Sequence, residues 1–396
     1  DPHRPEMNTS LVWTIGIAAS LLVISVSAVG QDATEETLTL QSAVESLGDP
    51  SFSARRRAVV TIREAGMKSE KMLVENLRHP SLEVRLKVAE LLSEIRRNDL
   101  QRRIEDLLAF RADGEALELP GWTKYVNLVG DDKLTRQLFA EMLKDEYSMM
   151  LLADGDDNAE LSAKLGEAAR NQNNQQVANV GTYAAYLFLA CLEDGSEGNL
   201  ISYIYTASHR QPVNMELKQG AYLKPLHTLL EVFMEDVDQR YVTLVLNLAV
   251  EFNLKSGTKF ATTFLESSNP SDYQTRVAIM CLAKFGDESH LPILAKLFED
   301  KRAFRVFLNG KQRDSQVRDY ALLASLYITE QPLQAYNMQT YPDVDRKNIN
   351  GSLNAGFVKD EHREPAFEKW AEYRKTEPKK ADETPEAEAK ASGDGE

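Results

Sequence analysis

A repeat with a period of 30 residues constrains the fold of this chain more than any other feature of its sequence. The same residue types recur in the same order in residues 47–65 and 77–95. The matched pairs are Leu47 and Leu77, Pro50 and Pro80, Ser51 and Ser81, Arg55 and Arg85, Ala58 and Val88, and Ile62 and Leu92. A period of this length is typical of a helical hairpin that stacks on similar hairpins. Because one hairpin cannot bury its apolar face alone, the repeat predicts an all-α solenoid.

Each copy of the repeat also carries the local signals of a helix. A proline stands where the helix is expected to begin, since its fixed φ suits the first turn. Apolar residues follow at spacings of three and four, which places them on one face of a helix. They are Ala58, Val59 and Ile62 in the first copy, and Val88, Leu91, Leu92 and Ile95 in the second. We therefore expect helical repeats over residues 37–110.

Weaker copies of the pattern continue downstream. Residues 269–287 and 315–326 repeat its arginine and apolar positions. Further helices are predicted at 133–146, 180–193, 221–235, 239–253, 257–267, 289–299 and 361–375, the last of them capping the final repeat. No alternating β pattern bounded by hairpin signals stands out. The expectation is that residues 111–375 continue as divergent helical repeats with almost no strand.

These segments resemble a known kind of repeat. Residues 38–97 resemble HEAT repeats, in the form called PBS-lyase HEAT-like repeats. The blocks 130–143, 282–294 and 316–331 are similar to a recurrent type of secreted bacterial HEAT-repeat protein. The resemblance is patchy over 120–375 and absent beyond. It implies an armadillo-like α-solenoid with a binding role, and it does not imply bilin lyase chemistry, because no chromophore site can be matched.

The amino-terminal residues have the pattern of an export signal. Residues 11–30 are an uncharged, mostly apolar run that ends in the small-residue patterns Val26-Ser27-Ala28 and Ala28-Val29-Gly30. This pattern predicts a signal peptide, residues 1–30, that is cleaved near 28–30 and sends the protein to the periplasm or the exterior. An uncleaved membrane anchor is the alternative, because about twenty apolar residues suffice to span a bilayer. Membrane attachment is expected only in that case.

Overall composition excludes several classes of function. The net charge of −15 disfavours nucleic acid as a partner. Two cysteines cannot make a disulfide scaffold, and no two histidines have the spacing of a metal motif. No phosphate-binding glycine loop or nucleophile elbow occurs. We therefore predict no catalytic residues, no cofactor and no metal. Residues 376–396 lack the apolar side chains needed for a core, which predicts a disordered acidic tail.

The basic stretch 55–103 stands out against this acidic background, with 13 basic and seven acidic residues and hence a local balance of +6. It could form a face that binds an anionic partner. It could equally be the solvated side of helices whose equivalent arginines pair between repeats, and charge runs on helices favour this interpretation. The candidate contacts, either to a partner or between repeats, are Arg55, Arg56, Arg85 and Lys87.

Three other groups are weighed against plainer interpretations. The carboxylates Asp131, Asp132, Glu141, Asp145 and Glu146 could serve hydrolysis, but helix capping and surface decoration are favoured. The histidines His209 and His227 could line a pocket with Tyr203, Tyr205 and Tyr222, but packing or surface roles are favoured. The cysteines Cys191 and Cys281 could form a disulfide after export, but burial as small apolar residues is favoured.

Together these features predict an exported, non-enzymatic binding or scaffold protein. Its helical-repeat surface would hold a protein or an anionic partner at the cell envelope. Two alternatives remain: an enzyme whose site lies in residues 115–235, and a structural envelope component that assembles with itself. The sequence leaves the partner, the number of repeats and the oligomeric state open.

Overall fold

The computed structural model describes residues 39–109, 118–155, 157–173, 178–193, 198–267 and 271–376. The predicted signal peptide and nearly all of the predicted acidic tail lie outside the described residues. The chain divides into two compact units, unit 1 ending at Asp99 and unit 2 beginning at Leu100. This division falls inside the segment 37–110 that the sequence predicts as one block of repeats. Within the described residues, no helix combines the length and apolar character needed to cross a membrane.

Unit 1 is a small stack of helices around its own apolar core. Its helices are α1 (Leu40–Ser46), α2 (Phe52–Ala65), α3 (Glu70–Glu75) and the first part of α4 (Leu82–Leu108), which ends in unit 2. The core is made of Ala43, Val44, Leu47, Ala58, Ile62, Leu73, Val84, Val88, Leu91, Leu92 and Ile95. The apolar positions that define the repeat are therefore buried, with Leu77 as an exception at 38 % exposure.

The start of α2 differs in detail from the prediction. Ser51 takes the N-cap position with an extended backbone, so Pro50 lies outside the helix rather than in its first turn. The next repeat has the same arrangement, with Pro80 and Ser81 both preceding the first residue of α4. Each helix therefore begins two residues after its proline, with a serine, a residue type preferred at the N-cap, in between. The Ser51 side chain makes no capping hydrogen bond.

Unit 2 is also mainly helical, which confirms the predicted helical character of the chain. Its helices are α5 (Trp122–Val129), α6 (Lys133–Met150), α7 (Asn158–Asn173), α8 (Val180–Ala190), α9 (Gly198–Ser208), α10 (Val213–Gln219), α11 (Leu223–Glu235), α12 (Val242–Phe252), α13 (Gly257–Glu266), α14 (Asp272–Phe285), α15 (Leu291–Lys296), α16 (Val317–Ile328) and α17 (Arg363–Thr376). Helix α17 matches the predicted final helix, and its Phe367 and Trp370 rings pack on Phe298 at 5.4 and 6.5 Å.

The helices of unit 2 contact one another in two series. In one series α6, α8, α11, α13 and α15 each contact the next member. In the other series α7, α9, α12, α14 and α16 do the same. The series meet where α8 contacts both α7 and α9, α13 contacts both α12 and α14, and α15 contacts α16. Ten consecutive residues of α8, 181–190, are buried, and eight of them belong to the apolar core of unit 2.

The expectation of almost no strand is wrong for residues 303–357. Two antiparallel hairpins occur there, one formed by β1 (Ala303–Leu308) and β2 (Lys311–Gln316) and the other by β3 (Met338–Tyr341) and β4 (Asn354–Phe357). Asn309 and Gly310 form the first turn with φ of 51° and 71°. An Asn-Gly pair between two short runs is a hairpin signal, because both positions tolerate positive φ. The hairpin could therefore have been predicted from this Asn-Gly pair in the sequence.

Candidate functional site

The repeated arginines Arg55 and Arg85 bind backbone carbonyls at the entry of their own helices. Nη1 of Arg55 donates hydrogen bonds to the carbonyl oxygens of Asp49 at 2.6 Å and Pro50 at 3.1 Å. Nη1 of Arg85 donates equivalent bonds to His79 at 2.7 Å and to the proline that follows it at 3.0 Å. Each arginine thus ties the turn before a helix to that helix, and the contact recurs with the period of the sequence.

A second contact recurs in the same turns. The backbone N–H of Ser51 donates to Oδ1 of Asp49 at 2.7 Å, and the N–H of Ser81 donates to Nδ1 of His79 at 3.1 Å. A carboxylate and an imidazole therefore perform the same structural task in the two repeats. Arg55 also approaches the carboxylate of Glu83 in the next repeat, but only at 4.0 Å. The contacts of both arginines are mainly with their own turns.

Unit 1 also contains two ion pairs between its helices. Arg63 on α2 donates to Glu94 on α4 at 2.8 Å, and Arg96 on α4 donates to Glu70 on α3 at 2.8 Å. Two arginines of the basic stretch are therefore engaged in contacts within unit 1. Both pairs are largely exposed to solvent, so their contribution to stability is small.

An exposed apolar row lies on α2 and on the first turns of α4. We define the apolar row as Phe52, Val60, Leu82 and Leu86, whose exposed fractions are 71, 44, 60 and 64 %. In the period of the repeat, Phe52 corresponds to Leu82, and exposed Arg56 corresponds to Leu86. Among the described residues, six of the thirteen exposed large apolar side chains fall between positions 52 and 86. The row therefore concentrates apolar surface in the most basic part of the chain.

Arg56 and Lys87 border the apolar row. Arg56 is exposed, and Lys87 pairs with Glu90 one helical turn away at 2.8 Å. Of the four candidate residues, Arg56 therefore remains the most accessible to a partner, whereas Arg55 and Arg85 are engaged by carbonyls. The row itself was missed in the sequence, because its residues fall outside the apolar stripe that was used to define the helices.

Glu146 forms the centre of a polar group in unit 2. Its backbone has φ −134° and ψ 37°, which interrupts α6 near its carboxyl end. Thr182 donates to one carboxylate oxygen of Glu146 at 2.9 Å, and the Tyr186 hydroxyl donates to the other at 3.4 Å. Burial raises the pKa of Glu146 above its ordinary value, while the two hydrogen bonds oppose this rise. The sequence predicted a surface position, and the half-buried kink was not visible in it.

The other carboxylates of this segment have simpler roles. Asp132 caps α6 by accepting from the Thr135 N–H at 2.9 Å, as predicted. Asp131 does not cap the helix; it pairs with Arg136 through Nε at 2.6 Å. Desolvation, and then the charge of the neighbouring Glu141, raise the pKa of Asp145. Among the described residues, no group of three or more His, Cys, Asp or Glu side chains can hold a metal ion.

The two histidines singled out in the sequence have separate partners. His209 contacts the Tyr205 carbonyl through Nδ1 at 2.7 Å and Glu251 through Nε2 at 2.8 Å. Lys218 reaches the same glutamate at 3.0 Å. Burial alone would raise the pKa of Glu251, but Lys218 and His209 hold it below its ordinary value. His227 contacts only a backbone carbonyl, that of residue 217 at 2.8 Å, so the histidines do not share a ligand in the described structure.

The cysteines behave as small apolar residues. Both are free thiols, and Cys281 is fully buried. The Cys191 thiol donates to the Leu187 carbonyl at 3.1 Å within its own helix. Burial raises the pKa of each thiol to about 12, which leaves little reactive thiolate near neutral pH. The predicted burial is confirmed for Cys281, whereas Cys191 is only partly buried.

Comparisons with family models, with characterised proteins and with solved structures found no match to this chain. The resemblance of residues 38–97 to HEAT repeats therefore stays a prediction. The apolar row and the polar groups of unit 2 are the features of the structure that bear on function.

Proposed function

We propose that this protein is an exported, non-enzymatic scaffold that binds a partner protein at the cell envelope. The repeated turns of unit 1 and the two contact series of unit 2 support an α-solenoid of HEAT-like hairpins, because such folds stack helices in two layers along the chain. A solenoid offers a long surface formed by equivalent positions of successive repeats. Binding is then the activity that fits the architecture best.

The apolar row is the observation that carries this proposal. A concentration of exposed apolar side chains bordered by polar residues is typical of protein interaction sites. Fully burying one Leu or Phe side chain is worth about 1.5–3 kcal/mol, so covering Phe52, Leu82 and Leu86 would contribute substantially to binding. Arg56 at the edge of the row would favour a partner with acidic groups around an apolar centre, because complementary rim charges steer association.

A binding experiment with matched variants tests this function. Full-length protein carrying Phe52→Ser and Leu86→Ser is compared with the parent in crosslinking pull-downs from envelope extract of the native host. We expect a defined partner to be captured by the parent and lost with the variant. Leu134→Ser with Met215→Ser is the control, because these side chains in unit 2 are also exposed, by 39 and 48 %. Equal capture by the parent and the Phe52/Leu86 variant would rule out the row as the binding surface.

The proposed export has a separate test. Protein isolated from the native host would begin near Val29 or Gln31 if the signal is cleaved, as amino-terminal sequencing would show. Membrane-pelleted protein that retains residues 11–30 would instead support the anchored form. Self-assembly, the structural alternative, predicts that light-scattering mass rises with protein concentration and that the Phe52→Ser and Leu86→Ser changes abolish the rise.

An enzymatic function is the second candidate, and the Glu146 group supports it. A half-buried carboxyl with a raised pKa is suited to donate a proton, and such groups are more frequent at active sites than elsewhere. Thr182 and Tyr186 orient the carboxyl, and all three residues lie in the predicted segment 115–235. Loss of a measurable hydrolytic activity on substitution of Glu146 by Gln, with the fold retained, would favour the enzyme over the scaffold.

A further inference from the structure

Arg276 on α14 is a partly buried cation surrounded by aromatic rings. Its guanidinium carbon lies 5.2 Å from the centre of the Tyr273 ring and 5.8 Å from those of Phe304 and Tyr320. Nη2 donates a long hydrogen bond of 3.4 Å to the Gly351 carbonyl, and the buried Nε has no hydrogen-bond partner. The rings stabilise the positive charge, and the Tyr320 hydroxyl lies within hydrogen-bonding reach of the guanidinium, but the ring faces do not accept its in-plane N–H groups as a carboxylate would.

Several partly or fully buried arginines of the same region have acidic partners, whereas Arg313 has no carboxylate within 4.0 Å among the described residues and Arg346 binds two backbone carbonyls. Arg302 pairs with Asp300 at 2.6 Å, Arg318 pairs with Glu364 at 2.9 Å, and α17 contributes a further buried pair. Among the described residues, by contrast, no carboxylate lies within 4.0 Å of the Arg276 guanidinium. A charge withdrawn from water is normally paired, because desolvation without compensation is costly.

The hydroxyl of Tyr273 extends the polar surface beside this arginine. Tyr273 is 52 % exposed, and its hydroxyl makes no hydrogen bond with the described residues. An exposed hydroxyl with no partner among the described residues therefore stands on the ring that is nearest to the guanidinium.

We propose that Arg276, assisted by the hydroxyl of Tyr273, binds a carboxylate group of a ligand. A guanidinium presents N–H donors in one plane, which matches the two oxygens of a carboxylate. Because Nε is buried, the ligand contacts the terminal nitrogens, Nη1 and Nη2. One cation and one neutral hydroxyl suit a singly charged group better than a phosphate dianion. The carboxylate belongs either to a free organic acid or to an acidic side chain of a peptide.

Thermal melts of the full-length protein test this site and distinguish the two sources. The probes are sodium propionate, the blocked peptide acetyl-Gly-Glu-Gly-amide and its Gln counterpart, all compared with sodium chloride at equal ionic strength. We expect a saturable rise in melting temperature with propionate and with the Glu peptide, and none with the Gln peptide. A response to propionate alone assigns the site to small acids, and a response to the Glu peptide alone assigns it to peptide ligands.

Substitutions at Arg276 and Tyr273 test whether any binding that is observed takes place at this site. Arg276→Met keeps the apolar stem and should abolish the response, and Arg276→Lys should weaken binding about tenfold, because an ammonium cannot make the bidentate contact. Tyr273→Phe keeps the ring and should weaken binding several-fold. Arg305→Met, which removes an exposed charge next to Phe304, should leave binding unchanged.

Two results would overturn the proposal. The first is that the protein melts at the same temperature in propionate, in the Glu peptide and in sodium chloride. Arg276 would then bind no carboxylate, and the aromatic rings alone would stabilise its charge. The second is undiminished binding by Arg276→Lys and Tyr273→Phe. If Arg276→Met fails to fold, the two conservative variants still show whether the ligand binds at Arg276. The outcome is independent of the apolar row, because that surface lies in unit 1.

Discussion

Arg85 ties the turn at His79 and Pro80 to α4 through two hydrogen bonds from one nitrogen. Replacing it with Ala would leave both carbonyls without this charged donor. Hydrogen bonds to charged groups contribute about 1.5–3 kcal/mol, and partial exposure places this site near the lower figure. We expect Arg85→Ala to lower the free energy of unfolding by about 1–2 kcal/mol in urea melts followed by circular dichroism.

Arg56→Ala is the matched control for that measurement. Arg56 is exposed, and the corresponding position of the next repeat holds Leu86, so the fold does not require a charge there. Its removal should change stability by less than about 0.5 kcal/mol. If Arg85→Ala melted at the same urea concentration as the parent, the turn contact would contribute nothing, and the two arginines would be better explained as an anion-binding face.

Glu146 gives a prediction about pH at the same scale. Burial raises its pKa in the folded state, so the folded chain binds this proton more tightly than the unfolded chain does. The stability gained is complete below the unfolded pKa and is lost as pH rises through the folded pKa. Glu146→Gln should therefore melt at a higher temperature than the parent near about pH 8, with the difference shrinking towards about pH 4.

Glu167→Gln on α7 is the comparison for the pH series, because Glu167 is an exposed glutamate on a neighbouring helix. It should follow the pH dependence of the parent. A Glu146→Gln protein that is less stable than the parent at every pH would show that the hydrogen bonds from Thr182 and Tyr186 outweigh the cost of burying the charge.

At the scale of elements, the turn of the β1–β2 hairpin has a defined conformational cost. Gly310 has φ 71°, and a Cβ built there meets no atom within 4 Å. The cost of Gly310→Ala is therefore conformational, about 1–2 kcal/mol for a left-handed backbone. Urea melts followed by tryptophan fluorescence would measure it, with exposed Lys311→Ala as control. An unchanged midpoint for Gly310→Ala would mean that the turn does not contribute to the stability of unit 2.

Helix α17 is attached by a buried ion pair. Arg363 donates to Asp319 on α16 through Nε at 2.9 Å and Nη2 at 3.2 Å, and the Asp319 side chain is fully buried. Removing the arginine would leave a buried carboxylate without its partner, which costs about 3–5 kcal/mol. We expect Arg363→Met to lose stability of this order in urea melts, whereas Lys375→Met on the exposed side of α17 should be neutral. A loss below about 1 kcal/mol would contradict the role of the pair.

The elements also show how far sequence reasoning reaches. Helices with a clear apolar stripe, such as α2, were predicted because local periodicity reflects the buried face. The β1–β2 hairpin was missed although Asn309 and Gly310 signal it, because the helical repeat dominated the interpretation. The conformation at Glu146 could not be predicted, since it depends on Thr182 and Tyr186, which are distant in sequence. The same holds for the rings around Arg276, which come from α14, β1 and α16.

At the scale of the whole molecule, the two units have separate apolar cores. We therefore expect them to unfold independently. The chain has three tryptophans, and in a Trp13→Phe background only Trp122 and Trp370 of unit 2 remain. Ile62→Ala, in the core of unit 1, should cost about 2–5 kcal/mol and shift a transition seen by circular dichroism but not by fluorescence.

Leu226→Ala is the reciprocal variant, because Leu226 is fully buried in unit 2. It should shift the fluorescence transition and leave the unit 1 transition in place. A fluorescence shift caused by Ile62→Ala would show that the units unfold as one. The sequence could not provide this division, because α4 runs through the boundary without a break in its pattern.

The turn at the start of each repeat has a consequence for how such a chain can grow. The arginine, the two carbonyls it binds and the serine amide all belong to the seven residues from Asp49 to Arg55, or from His79 to Arg85. The turn is therefore self-contained and needs no adjustment by its neighbours. A segment of 30 residues, duplicated in tandem within the reading frame, would therefore contain all the contacts that its own turn requires. Gene duplication could lengthen this array, and protein engineering could do so by the same route.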